Sequence, residues 1–145
     1  METLKQMLHA KARHQGVLSI APDARVYDAL QVMAEKNIGA LLVLEGGKLV
    51  GIITERDYAR KVILKGKSSL DTPVREIMTD KVVCVRPEHT IEECMGLMTD
   101  KRIRHLPVLD SKKVVGVISI GDVVRAIIED KEFDIQQLTK YISSG

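Results

Sequence analysis

The hydrophobic positions of this chain change period at regular intervals, and they do so twice. Val26, Ala29, Leu30 and Met33 fall at i, i+3, i+4 and i+7, the apolar stripe of an amphipathic helix. Ile91, Cys94, Met95 and Met98 repeat that spacing. A short apolar run precedes each stripe, at 17–20 and 82–85, and Pro22 or Pro87 ends it. Apolar runs of strand length follow, at 40–44 and 49–53 in the first half and at 106–109 and 114–118 in the second. The polar tetrads between them, Glu45-Gly46-Gly47-Lys48 and Asp110-Ser111-Lys112-Lys113, predict hairpin turns. A second helix begins at Thr54 or Ser119. Each half therefore reads β-α-β-β-α.

The halves align on each other at an offset of 65 without a gap. Pro22 meets Pro87, Met33 meets Met98, and Lys36 meets Lys101. Val50, Gly51 and Ile53 meet Val115, Gly116 and Ile118. Asp57 meets Asp122, and Arg60 meets Arg125. One register held over this length marks a duplication. The 145-residue chain thus reads as a single module. Its parts are a unit at 17–65, a linker at 66–81, a second unit at 82–130 and a C-terminal helix at 131–145. A unit of roughly 50 residues buries too little surface to stand alone. The units are expected to pack on each other through their sheets, related by a pseudo-twofold axis. The fold class is α/β, of the α+β type.

Within the linker, 65–72 is polar, and Pro73 at a first helical turn predicts a short helix to residue 78. Two helical segments lie outside the duplication. Leu4, Met7 and Leu8 mark one, closed by Gly16; Phe133, Ile135, Leu138 and Ile142 mark the other. Both are candidates for capping the module or for a dimer contact.

Composition narrows the function. Aromatic residues make up 3% of the chain, three Tyr and one Phe, which leaves few platforms for stacking bases. The formal charge of +2 is small for a nucleic-acid footprint. No apolar run approaches the length of a membrane span, and the N-terminal residues lack a secretory signal pattern. Cys84 and Cys94 show no CxxC spacing and read as reduced thiols in a cytoplasmic compartment. His9, His14, His89 and His105 are too dispersed for a metal site. Gly46-Gly47-Lys48 lacks the spacing of a P-loop, and no catalytic grouping stands out. The Lys61, Lys65 and Lys67 cluster reads as a solvated helix end.

The sharpest matched feature is the junction from last strand to last helix. It reads Gly51-Ile52-Ile53-Thr54-Glu55-Arg56-Asp57 and Gly116-Val117-Ile118-Ser119-Ile120-Gly121-Asp122. One reading is a capping box, with Thr or Ser at the N-cap and an acid three residues on. Another uses the same geometry to hold a ribonucleotide. The helix N-terminus favours phosphate, the carboxylate can accept from a ribose diol, and glycine lets a ligand or neighbouring backbone approach.

This doubled β-α-β-β-α pattern, each copy ending Gly-h-h-[Thr/Ser]-x-x-Asp with h apolar, resembles a pair of CBS domains (the cystathionine-β-synthase type), a Bateman module. The resemblance spans roughly residues 17–130. It implies a non-catalytic sensor of adenosine-containing ligands, AMP, ADP, ATP, NAD or S-adenosylmethionine, bound in the cleft between the two units. Such a sensor would report energy or redox state to a regulated protein. It further implies a homodimer, with no metal, nucleic acid or membrane involved. By the same resemblance, Asp57 with Thr54 and Asp122 with Ser119 hold the ribose. Adenine lies near Ile20 and Ala21 in one unit and near Val85 in the other.

The units differ where phosphates should lie. The second has Arg104-His105 where the first has Gly39-Ala40. Arg104 reads either as a bidentate phosphate ligand or as a solvated strand-edge residue, and His105 as a ligand or a core histidine. Arg56 is the candidate substitute in the first unit. The two sites are therefore expected to diverge. Two other readings stand beside the sensor: a structural dimerisation module with an empty cleft, and a redox-active subunit using Cys84.

Overall fold

A computed structural model describes residues 3–12 and 17–144. Gly16 and His14 lie outside the described residues. The order of elements carries the duplication, and the chain divides into two compact units. One is 17–83; the other joins the residues before 17 to those from 84 onward.

In the first unit, β1 (Ser19–Ile20) runs parallel to β2 (Ala40–Glu45), and β2 runs antiparallel to β3 (Lys48–Thr54). The parallel step is made by α2 (Val26–Lys36), which buries Val26, Ala29 and Met33 as its spacing predicts. Asn37 ends it with φ 53°, a left-handed stop that asparagine tolerates. Gly46 and Gly47 turn the β2–β3 hairpin with φ 56° and 81°, the double positive φ of a tight two-residue loop. Beyond β3 comes α3 (Glu55–Tyr58). It widens into a π-helical turn, Ala59–Ile63, where Leu64 N–H donates to Ala59 O (3.1 Å) and Lys67 N–H to Val62 O (2.9 Å). The core joins Val26, Ala29, Met33, Leu41, Val43, Ile53 and Val62 to Val74 and Ile77.

Those last two residues belong to the stretch expected as a linker. Residues 66–81 instead close this unit. Val26 N–H donates to Thr72 O (2.9 Å), Val74 N–H to Ala24 O (2.8 Å), and Ile52 and Thr79 exchange two 2.9 Å backbone bonds. The expected short helix is α4 (Val74–Ile77), with Pro73 at its N-cap.

The second unit repeats the plan with α5 (Ile91–Lys101), β4 (His105–Asp110), β5 (Lys113–Ser119) and α6 (Ile120–Ser144). Its registers match the first at the offset of 65: Val43↔Gly51 and Val108↔Gly116, with the same irregularity just after each pair. The strand expected at 82–85 shrinks to one parallel bridge, Val85↔Val108, the counterpart of Ile20↔Val43. The hairpin turns on Ser111 and Lys112, at φ 50° and 69°, where the first unit has glycines.

The segment that closes this unit comes from the chain's start. α1 (Leu4–Ala12) buries Leu4 and Leu8, and Leu4 and Lys5 donate N–H bonds of 3.1 Å to His89 O and Pro87 O. Each unit is thus completed by the stretch that precedes the other repeat in sequence. The C-terminal helix expected at 131–145 is not separate: α6 runs unbroken from the end of β5, because nothing between Ile120 and Ser144 stops a helix. The fold class is mixed α/β, as expected.

Candidate functional site

The two strand-to-helix junctions are capping boxes in the structure. Thr54 is extended (φ −122°, ψ 163°), and its Oγ1 accepts from Asp57 N–H at 3.1 Å. Asp57 Oδ2 in turn accepts from Thr54 N–H (3.0 Å) and Thr54 Oγ1–H (3.1 Å). The cap occupies one carboxylate oxygen. The other, Oδ1, faces Lys61 Nζ at 3.1 Å and accepts from Thr79 Oγ1–H at 3.4 Å. Lys61 Nζ also donates to Ile77 O at 3.0 Å. Asp57 is 7% exposed, so its charge is held inside this set of partners.

Lys61 and Thr79 are neighbours of the motif carboxylate that sequence reasoning missed. Lys61 is exposed, as a solvated helix end should be, and it also pairs with the motif carboxylate. The i, i+4 spacing from Asp57 to Lys61 was the available signal. Thr79 gave no signal, because the Ile52–Thr79 backbone pair that brings it to Asp57 is a tertiary contact.

In the second unit, Ser119 Oγ accepts from Asp122 N–H (3.2 Å), and Asp122 Oδ2 accepts from Ser119 N–H (2.9 Å). Asp122 Oδ1 has a longer ion pair, 3.5 Å to Arg125 Nη1, and the Arg125 side chain is 69% exposed. The residue matched to Lys61 is Ala126, which is buried and carries no charge. The chemistry around the two motif carboxylates therefore differs: one is paired at 3.1 Å with a lysine that also holds a backbone carbonyl, the other at 3.5 Å with a more exposed arginine.

Arg104 and His105 reach the same place as Ser119 and Asp122. His105 pairs with Ser119 across the β4–β5 ladder. The Arg104 carbonyl accepts from Ile120 N–H at 2.8 Å, as Gly39 O accepts from Glu55 N–H at 3.1 Å in the first unit. The Arg104 backbone is thus structural while its side chain is exposed. In the first unit Ala40 stands opposite Thr54, and Arg56 is exposed beside the cap. Ile20 is half-buried at the end of β1, and Ala21 beyond it is exposed. Val85 is buried, with its N–H bonded to Pro107 O (3.0 Å) and its carbonyl to Leu109 N–H (2.8 Å).

The glycines that open the motif have a definite occupant. A Cβ on Gly116 would stand 2.3 Å from Leu8 Cδ2, and one on Gly51 would stand 2.6 Å from Met78 Sδ and 3.0 Å from Thr79 O. Of the two readings for these positions, close approach by neighbouring chain accounts for both. Among the described residues no buried side-chain N or O lacks a partner.

Burial pushes the Cys84 thiol above its ordinary value, and burial with nearby Glu93 pushes Cys94 to about 11. An attacking cysteine needs the opposite shift. Among the described residues no three His, Cys, Asp or Glu side chains are grouped to hold a metal, and no helix is long and apolar enough to cross a membrane.

Known proteins resemble this chain in sequence and in fold. The sequence model of the CBS domain matches residues 13–64 and 74–129. The CBS domain-containing protein CBSX3, mitochondrial, of Arabidopsis thaliana is 48% identical over 128 residues, which cover 85% of this chain and 62% of that protein. The chain thus spans less than two thirds of that relative. A solved protein with CBS domains from Burkholderia ambifaria MC40-6 is 52% identical, with a TM-score of 0.85, covering 89% of this chain and 96% of that one. The CBS domain pair of protein MJ0100, solved with 5′-methylthioadenosine and S-adenosyl-L-methionine, is 25% identical, with a TM-score of 0.78, covering 90% and 98%.

Proposed function

The chain belongs to the CBS-domain family, and from that membership we propose that it is a non-catalytic regulatory module that binds an adenosine-containing ligand, AMP, ADP, ATP or NAD(H). The observation that carries this reading is the matched pair of [Thr/Ser]-x-x-Asp junctions, where one carboxylate oxygen is anchored by the cap and the other faces a cation. An anchored carboxylate with one oxygen turned to an exchangeable partner is suited to accept from the vicinal hydroxyls of ribose. The adenosine ligands of the MJ0100 CBS pair support that ligand class.

The second unit is the better phosphate site. Arg104 has an exposed side chain, His105 stands opposite Ser119, and the Arg125–Asp122 pair is long and solvated. Opening a solvated ion pair costs little. In the first unit a ligand meets Lys61 already paired with a nearly buried Asp57, and Arg56 is exposed beside the cap. Binding would shift the population of module conformations, and a regulated protein would sense that shift. The module works as a homodimer in a reducing compartment such as the cytoplasm.

Calorimetry and thermal shift with AMP, ADP, ATP, NAD, NADH and S-adenosylmethionine test the reading. Ligand at 100 times its Kd stabilises by about 2.7 kcal/mol, on the order of 5–10 °C in Tm. Asp122→Ala should weaken binding by about 1–3 kcal/mol and Asp57→Ala by less. Arg104→Ala should weaken ATP more than adenosine. No shift with any of these ligands would falsify the sensor reading.

A further inference from the structure

The outer part of α6 carries a row of exposed aliphatic side chains. Val124 is 41% exposed, Ile128 52%, Ile135 62%, Leu138 63% and Ile142 75%. Along the helix they follow one another at intervals of 4, 7, 3 and 4 residues. In heptad terms Ile128, Ile135 and Ile142 are a positions, Val124 and Leu138 are d positions, and Lys131 fills the remaining d. A helix facing its own core shows a wider stripe; this two-in-seven row is the narrow seam of a coiled coil. The helix also has another use for its other face. Val123 and Ala126, at c and f, are the α6 residues buried in the unit, so the row points away from the packing that holds α6 in place.

We propose that α6 pairs along this row with α6 of a second copy of this chain. The proposal deepens the homodimer reading by assigning it a surface. Three observations favour a second copy over an unrelated partner. Isoleucine at a with leucine at d suits a two-stranded seam, and an identical helix supplies the matching heptads in register. The row runs from residue 124 to residue 142, about 27 Å of helix. Two such rows face to face bury an area on the order of 1,000 Å², the lower bound for a specific association. The charges are accommodated: Lys131, which at d faces its own counterpart in an in-register pair, is flanked by Glu132 and Asp134. A Lys131 entering the seam meets carboxylates of the second helix and carries its charge out to them on its aliphatic stem.

Sedimentation equilibrium on the full chain tests this, with circular dichroism to confirm folding. The wild type should be dimeric. The double variant Ile135→Asp/Leu138→Asp should stay folded and dissociate at least about tenfold more readily. Phe133→Asp, at an exposed position off the row, should leave the dimer intact. A conservative pair, Ile135→Ala/Leu138→Ala, should weaken the dimer without adding charge. A monomeric wild type would overturn both the homodimer and the seam. Dimers of unchanged strength in both double variants, or equal disruption by Phe133→Asp, would leave the homodimer standing and overturn the seam.

Discussion

Two aspartates at matched positions sit in different electrostatic company, and this separates structural from exchangeable contacts residue by residue. Asp57 is nearly buried and leans on Lys61 at 3.1 Å, so losing that cation strands a carboxylate with little water around it. Lys61→Met should destabilise the fold by about 1–2 kcal/mol in urea unfolding. Arg125→Ala removes an exposed partner at 3.5 Å and should change stability by no more than about 0.5 kcal/mol. Equal costs for the two would mean that the clasp on Asp57 is no tighter than its counterpart. Cys94 offers a pH signature. Its folded thiol titrates near 11 against an ordinary 9.0, because burial disfavours the thiolate. A raised folded pKa leaves stability intact below pH 9 and removes it as pH climbs toward 11. Denaturant midpoints across that window should fall for the wild type and fall less for Cys94→Ala. Indistinguishable slopes would remove Cys94 as the cause.

At the level of elements, the capping boxes, the hairpins and the first helix of each unit are local structures whose causes lie within a few residues. The apolar stripe of α2 and the Gly46-Gly47 turn are cases in point. The closing segments are different. α1 covers β5 where Gly116 leaves room for Leu8, and the strand glycine and the helix leucine are far apart in sequence. Gly116→Ala should overpack this contact and destabilise by about 1–3 kcal/mol. Amide exchange should show the loss concentrated at residues 3–12, with α2 unaffected. Uniform loss across the chain, or none, would mean that Leu8 does not depend on that glycine.

On the scale of the whole molecule, the compact unit is not the repeated one. The repeat suggests a unit ending at 65, but Val74 and Ile77 complete its core and Thr79 pairs with Ile52. A fragment 17–83 should therefore show more helix by circular dichroism and more dispersed amide resonances than a fragment 17–65. Matching spectra from the two fragments would mean that 66–83 contributes nothing to the unit. The same logic makes residues 3–12 necessary to the unit that begins at 84.

The duplication, the β-α-β-β-α order and both caps were legible in the sequence, because each rests on periodicity or on groups three residues apart; the family was legible as a resemblance carried by the doubled Gly-h-h-[Thr/Ser]-x-x-Asp motif. The neighbours of each cap were legible only where they lay on the same helix, as Lys61 does. Tertiary structure alone decided that Val74 and Ile77 enter the core of the first unit, that α1 joins the second repeat, and that Thr79 touches Asp57. Those outcomes depend on which distant backbone pairs with β3 or settles over a strand glycine, and no local pattern encodes such a choice. The continuity of α6 sits between the two. The sequence placed apolar residues at helical spacing on both sides of residue 130, but only packing showed which of them face the unit and which are left to solvent.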